Sequence, residues 1–248
     1  MDYMMLKQLL ASAGIGACKI DTQLANNQCV PGGSLSGQIL IQGGAVAQQI
    51  NGFSLALMTR VKVKTDNGEH YQNFCLQRFR LSEAMLIEAG ARHQLPFELR
   101  LSAELPVTHL PHHTVGKVWL CTEADIAMAL DPSDNDLLRI DASPLVLNCI
   151  SAMLELGYQL QKVDVEKGYL QVPGKRSQSG CYQEFEFRPR QWLSGIKEVE
   201  LSFIPDGADT LLLVEVDRSF RGDSYRTVRL SPQATSAQVQ QALRGILG

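Results

Sequence analysis

Apolar and polar residues alternate in several short runs of this chain, and that periodicity separates the fold classes open to it. The runs cover residues 35–41, 95–101, 181–188 and 199–203, and glycine or proline stands between them. A period of two sends successive side chains to opposite faces of a strand, so each run predicts a half-buried β-strand. Many short strands divided by turns are typical of antiparallel β-sandwiches. We therefore expect an all-β chain with peripheral helices.

The clearest local signal is a β-hairpin over residues 60–71. Valine alternates with lysine and arginine before the sequence Asp66-Asn67-Gly68, and a second polar run follows it. Asn-Gly readily adopts the positive φ angles that a tight hairpin turn requires. We expect the basic side chains of this hairpin to face water and to discourage pairing with another strand edge.

Three segments predict the peripheral helices. Ser143 suits an N-cap, Pro144 suits the first helical position, and Gly157 suits the end of the helix between them. Residues 233–247 form an amphipathic pattern, and a shorter helical pattern occupies residues 5–13.

Composition and charge argue against nucleic-acid binding and against a membrane span. The chain has 248 residues, of which 45% are hydrophobic and 20% charged, as in an ordinary globular protein. A net charge of −3 with scattered basic residues argues against nucleic-acid binding, which needs a basic face. Residues 22–59 carry no charge, but their many amides and hydroxyls would be unsatisfied in hydrocarbon. We therefore predict no membrane span.

Cysteine usage predicts a cytoplasmic location. The six cysteines are spread through the chain without a C-x-x-C pair. A chain of this length does not need disulfides, and the N-terminus lacks the pattern of an export signal. The cysteines are therefore expected to be buried thiols.

An acidic segment follows the strand predicted at residues 115–122. It contains Asp131, Asp134 and Asp136 near a proline, and it predicts a solvated linker over residues 131–141. We accordingly divide the chain into an N-terminal domain of residues 1–138 and a C-terminal domain of residues 139–248. Calcium binding is the alternative for this segment, because calcium prefers oxygen ligands; the glycine and terminal glutamate of an EF-hand loop are missing.

Several short motifs are spread along the chain: Gly14-Ile15-Gly16, Pro31-Gly32, Gly43-Gly44, Trp119 with Thr122 and Asp125, Asp131-Pro132 with Asp134 and Asp136, and Val214-Glu215-Val216-Asp217-Arg218 with Arg221-Gly222. Together they resemble those of the bacterial sporulation-control (SpoOM) family. The resemblance covers essentially the whole chain and implies two arrestin-like β-sandwich domains in tandem. It also implies a cytoplasmic regulatory or adaptor role with protein partners, and neither catalytic activity nor a cofactor.

Aspartate and arginine residues near the predicted domain junction suggest a hinge. Our hypothesis is that guanidinium groups after a late strand meet aspartates at the junction and set the angle between the domains, because Arg–Asp pairs are directional. An ordinary surface or intradomain ion pair is the alternative. The hinge candidates are Asp131, Asp134, Asp136, Asp217, Arg218 and Arg221.

Histidines supply the other candidate chemistry. His109, His112 and His113 could ligate zinc or nickel, but no cysteine or acid is close in sequence, and an ordinary exposed loop is the favoured interpretation. The chain has neither a G-x-S-x-G motif nor a phosphate-binding glycine loop. We therefore predict a non-catalytic protein, with a metal-dependent binder or hydrolase built on this loop or on residues 131–136 as the alternative.

Sheet edges, loops or the concavity between the two domains are the predicted interaction surfaces. The edges in the first half carry few charges, which suits pairing with an extended segment of a partner protein. The same edges could instead pair two copies of this chain as a homodimer.

Overall fold

The computed structural model describes residues 17–66, 68–126, 133–191, 195–219 and 222–247. The first half of this described chain consists of strands only. In chain order they are β1 (Lys19–Leu24), β2 (Gln28–Cys29), β3 (Ser34–Gln42), β4 (Gln48–Thr65), β5 (Gly68–Arg80), β6 (Met85–Ile87), β7 (Arg92–Arg100), β8 (His109–Leu110), β9 (His113–Thr114), β10 (Val118–Ile126) and β11 (Ser133–Ile140).

The second half of the described chain mixes strands with two helices, which lie near its start and at its end. They are α1 (Pro144–Glu155), β12 (Tyr158–Lys167), β13 (Gln171–Val172), β14 (Lys175–Arg176), β15 (Cys181–Pro189), β16 (Ile196–Asp206), β17 (Asp209–Arg218), β18 (Ser224–Leu230) and α2 (Ser236–Leu247).

The first half is a sandwich of two sheets. One has the strand order β1-β3-β7, and the other includes β4, β10 and β11 with β2 at its edge and β5 and β6 beside β4. Ile39 from β3 and Leu55 and Leu57 from β4 are fully buried between them. The predicted strands at residues 35–41 and 95–101 are confirmed as β3 and β7, because their alternation puts one face of each strand in this core.

The predicted hairpin is confirmed, since β4 and β5 pair antiparallel from Thr65 with Gly68 to Ser54 with Arg80. Asn67 lies outside the described residues. The expectation that the basic residues of this ribbon all face water is wrong for Lys62, which is only 7% exposed. The second half of the chain covers it.

The linker predicted over residues 131–141 is also wrong. Residues 133–140 form β11, which pairs antiparallel with β10 from Val118 with Leu138 to Glu123 with Ser133. Leu138 and Ile140 alternate with exposed residues and are buried in the first core. The density of aspartate and the nearby proline hid this period of two. The boundary predicted after residue 138 falls inside β11, and the division into two domains stays a prediction.

The second half is built on the antiparallel strand order β12-β15-β16-β17-β18. Helices α1 and α2 pack on one face of this sheet, where Met153, Phe187 and Leu243 are fully buried. The prediction of α1 is confirmed in detail. The Ser143 hydroxyl accepts a hydrogen bond from the Val146 N–H at 3.3 Å, proline follows, and Gly157 has a φ of 88° just after the helix.

A long strand joins the two halves. Beyond its pairing with β10, β4 continues and pairs in parallel with β12 at Lys62 and Glu166, which makes one 11-stranded sheet across the described chain. The helix predicted at residues 5–13 lies outside the described residues, and the helix predicted at residues 233–247 begins at Ser236. Neither described helix is long and apolar enough to span a bilayer.

Candidate functional site

A polar cluster with a buried centre lies where the two halves meet, and we call it the polar seam: Lys62, Tyr71, Lys162, Asp164 and Glu166. Lys62, Asp164 and Glu166 form the buried centre, whereas Tyr71 and Lys162 are exposed at its rim. Lys62 Nζ lies 2.9 Å from Asp164 Oδ2 and 2.5 Å from Glu166 Oε1. The three side chains are 9%, 11% and 4% exposed, respectively. The seam therefore holds one buried cation from the first half between two carboxylates of the second half.

Two further contacts complete the seam around Asp164. Tyr71 donates a hydrogen bond from its hydroxyl to Asp164 Oδ1 at 3.0 Å, and Lys162 Nζ lies 2.5 Å from Asp164 Oδ2. Strand geometry explains the grouping, since Lys162, Asp164 and Glu166 are two residues apart in β12 and share one face. The register of Lys62 opposite Glu166 then brings the lysine of β4 to that face.

The charge states of the seam follow from these contacts. Burial by itself lowers the pKa of Lys62, but hydrogen bonds and attraction from Glu166 and Asp164 outweigh it and raise the pKa above its ordinary value. Burial raises the pKa of Asp164, yet hydrogen bonds from Lys162, Lys62 and Tyr71 lower it overall. Lys62 and Asp164 therefore stay ionised across the physiological range.

Backbone groups add a second link between the halves. The Glu104 carboxylate of the first half accepts hydrogen bonds from the N–H groups of Gln178 and Ser179, at 2.8 and 2.7 Å. The Gln183 side chain accepts from the Val107 N–H at 3.0 Å and donates to the Val107 carbonyl at 2.9 Å. These bonds fix the loop after β7 against β15 and the turn that precedes it.

A cavity of about 290 Å³ opens beside this second link. Its walls are mostly apolar and come from both halves. They include Pro106 and Val107 from the first half, and Leu145, Phe185 and Phe203 from the second. The structure thus places a shaped concavity next to the contacts that orient the halves.

The hinge candidates of β11 make local contacts. Asp134 Oδ2 accepts a hydrogen bond from the Thr22 N–H at 2.7 Å, which ties β11 to β1 within the first sandwich. Asp136 Oδ2 is buried and has no hydrogen-bond partner among the residues that the structure describes. Burial raises the pKa of Asp136, and the charges of Asp134 and Asp21 raise it further. Asp131 lies outside the described residues.

The late hinge candidates contact the second half. Asp217 Oδ2 lies 3.6 Å from Lys197 Nζ, and Arg218 Nη2 lies 3.4 Å from the Ile246 carbonyl at the end of α2. A guanidinium at a helix C-terminus satisfies free carbonyls and complements the helix dipole. In the described part of the chain, no ion pair joins Arg218 to an aspartate of β11. Arg221 lies outside the described residues, so the hinge role stays a prediction.

The histidine cluster forms the small β8–β9 hairpin. His109 has its Nδ1 2.8 Å from the Thr108 hydroxyl and its Nε2 3.3 Å from the Thr114 hydroxyl. His112 and His113 are exposed. Both ring nitrogens of His109 therefore have partners within the protein. Among the described residues, the histidines form no cluster with the spacing of a metal site. The acidic, histidine or cysteine side chains that come within 4.8 Å of one another in a group of three are glutamates of the second sheet.

Sequence reasoning missed the polar seam. Lys62 looked like a water-facing residue of a hairpin, and Asp164 is 102 residues away from it in the chain. The available signal was the alternation of Lys162, Asp164 and Glu166, which predicts one charged strand face. Nothing local indicates that this face meets the hairpin.

The prediction for the cysteines holds in part. All six are free thiols; Cys18, Cys29, Cys149 and Cys181 are buried, Cys121 is partly buried and Cys75 is exposed.

Comparisons with known proteins agree with this architecture. The sequence pattern of the family described as SpoOM protein matches residues 6–220. The sporulation-control protein spo0M of Bacillus subtilis (strain 168) is 36% identical over 220 residues, which are 87% of this chain and 81% of that protein. The crystal structure of Spo0M from Bacillus subtilis superimposes with a TM-score of 0.81 at 29% identity, and covers 94% of this chain and 98% of that one. This chain is therefore a member of the SpoOM family, and its mostly β, arrestin-like fold is the one predicted.

Proposed function

We propose that this protein is a non-catalytic, cytoplasmic regulatory adaptor whose two halves together present a surface to protein partners. The polar seam is the observation that carries the proposal. A relative of this chain in Bacillus subtilis is named a sporulation-control protein, which supports regulation as the class of function.

A buried ion pair suits the control of orientation better than the gain of stability. Desolvation of Lys62, Asp164 and Glu166 offsets much of their mutual attraction, and such networks are replaceable by apolar residues of similar volume without loss of stability. Salt bridges with hydrogen bonds are nevertheless directional, so they hold one arrangement of the elements that carry them. The seam links β4 to β12, and these strands carry the two halves.

The cavity and the strand edges are the proposed contact surfaces. The cavity between Val107 and Phe185 changes shape if the halves reorient, since its walls belong to both. Strand β18 forms one end of the long sheet, and its backbone can pair with an extended partner segment. A homodimer through such an edge is the alternative use of the same surface.

We place the boundary between the two proposed domains at residues 141–143. Ile140 belongs to the first core, and Leu145 of α1 belongs to the second. The chain between them is the short connection that follows β11.

The test combines partner capture with small-angle scattering. The Lys62→Met variant removes the cation of the seam and keeps an apolar side chain of similar length. We expect it to retain the β-sheet circular dichroism spectrum, to change the scattering profile, and to capture less of the partner that the wild type captures from native cells. Lys64→Met is the matched control, because Lys64 is the neighbouring lysine on the same strand and is 61% exposed. A folded Lys62→Met variant with wild-type scattering and capture would refute the proposal.

Size-exclusion chromatography with light scattering tests the homodimer separately. If a dimer forms through β18, Val228→Pro removes an N–H from that edge strand and shifts the protein to monomer. A monomeric wild type excludes this use of the edge.

A further inference from the structure

Three glutamates lie directly opposite one another on adjacent strands of the second sheet. Glu186 of β15 pairs in register with Glu200 of β16, and Glu200 pairs with Glu215 of β17. They occupy the face opposite the helices, because their strand neighbours, such as Val199 and Leu201, are buried in the helix-covered core. We call these three residues the glutamate row. Directly opposed residues in a sheet have Cβ atoms about 4.5–5.5 Å apart, and like charges at that position are destabilising.

A fourth carboxylate, that of Glu198 two residues before Glu200 in β16, crowds the row. Carboxylate oxygens of Glu186, Glu198 and Glu200 lie within 4.8 Å of one another. The side chains of Glu186 and Glu198 are 19% and 24% exposed, so water screens their repulsion only in part.

Arg188 balances the charge at one end of the row, and a neutral hydroxyl group contacts the glutamate at the other end. Arg188 Nη2 lies 3.0 Å from Glu186 and 2.9 Å from Glu198, and the Tyr225 hydroxyl donates to Glu215 at 2.7 Å. Within the described chain, Glu200 takes part in no ion pair within 4.0 Å. The remaining titratable or charged groups that face this region from the surrounding elements are Lys62, Lys64, Lys162, Glu166, Tyr182, Glu184, Lys197, Asp217 and Asp223.

Burial and neighbouring negative charges also raise the pKa of glutamates in and beside the row. Burial raises the pKa of Glu200 to about 8, with repulsion from Glu184, Glu215 and Glu198 adding to it. Burial also raises the pKa of Glu184 to about 7, with a further contribution from Glu166. Lys64 opposes both shifts but does not cancel them.

We propose that the glutamate row is a proton-sharing device that makes the second sheet more stable on the acid side of neutrality than on the alkaline side. A protonated carboxyl group at the centre removes one of three opposed charges and can donate a hydrogen bond to a neighbouring carboxylate. Unfolded glutamate titrates near pH 4.3, so the folded sheet binds more protons than the unfolded chain at neutral pH. Stability therefore falls as the pH rises from about 4.5 to about 8.

Urea unfolding, followed by circular dichroism at about pH 6 and about pH 8.5, tests the row. We expect the wild-type midpoint to be lower at the alkaline pH. Glu200→Gln replaces the central charge with a neutral group of the same shape, so its midpoint should change less with pH and exceed the wild-type midpoint at the alkaline pH. Glu83→Gln is the control, because that side chain is 93% exposed and should keep the wild-type pH dependence.

A glutamine variant with the same pH dependence as the wild type would overturn the proposal. A direct measurement covers the case in which Glu200→Gln does not fold. Carbon-detected NMR of wild-type glutamate carboxyl groups should show at least one that titrates near neutrality, and titration of every glutamate below about pH 5.5 would equally overturn it.

Discussion

Removal of the Lys62 charge should destabilise the protein far more than removal of its neighbour's charge. In Lys62→Met, Glu166 keeps a side chain that is 4% exposed and loses the ammonium group 2.5 Å away. Its other cation is Lys64 at 3.8 Å, which is too exposed to compensate. Loss of one partner of a buried ion pair costs about 3–5 kcal/mol. Because Asp164 keeps Lys162 and Tyr71, we expect the lower end of that range.

A double-mutant cycle separates this effect from lost packing. Glu166→Gln alone leaves Lys62 buried with Asp164 at 2.9 Å and the exposed Glu69 at 3.8 Å, so it should also be destabilising. The double variant Lys62→Met with Glu166→Gln removes both opposite charges, and its cost should be smaller than the sum of the single costs. Free energies of unfolding from urea titrations give each corner of the cycle.

One matched control variant tests this electrostatic account. Lys64→Met should cost less than about 1 kcal/mol, as exposed ion pairs do. If Lys62→Met costs no more than Lys64→Met, or if the single costs simply add in the double variant, the electrostatic account of the seam is wrong. Because the pKa of Lys62 is raised in the folded state, its contribution to stability is fully present below the unfolded lysine pKa of about 10.4 and is lost as the pH rises from there through the folded-state pKa. The cycle is therefore measured near neutrality.

Three further results are expected. Iodoacetamide should label Cys75 in the folded protein, whereas Cys149, whose pKa burial raises to about 12, should react only after unfolding; peptide mass spectrometry distinguishes the two thiols. Gly37→Ala should lower the melting temperature markedly, because its new Cβ would lie 2.5 Å from the Gln23 carbonyl oxygen, and calorimetry would show it. Zinc should leave the melting temperature unchanged, since threonine hydroxyls contact both ring nitrogens of His109; a stoichiometric shift would restore the metal-site alternative.

Local sequence patterns correctly predicted several strands and a helix of the fold. β3 and β7 followed from alternation, the β4–β5 hairpin followed from its turn residues, and α1 followed from Ser143 and Gly157 at its ends. Each of these signals lies within a dozen or so residues of the element that it predicts. Such elements are set by side-chain periodicity and by backbone preferences at their ends, which require no knowledge of distant neighbours.

The errors arose where two opposing signals met in one segment. β11 combines aspartates near a proline with a buried alternation of Leu138 and Ile140, and the charge density dominated the interpretation. Asp134 tolerates a place in a strand because the Thr22 N–H, 112 residues away in sequence, donates to it. That partner is absent from any local window of the chain.

The sequence by itself determined several of the strands, the β4–β5 hairpin and helix α1, and through its motifs the family to which the chain belongs. Only the tertiary structure decided which charges meet. Lys62 reads as a solvated lysine until β12 lies beside β4, and Glu200 reads as an ordinary exposed residue until β15 and β17 place glutamates on both sides of it. Strand alternation fixes the face of a side chain, but the partner across that face depends on strand register and on pairings between residues far apart in the chain.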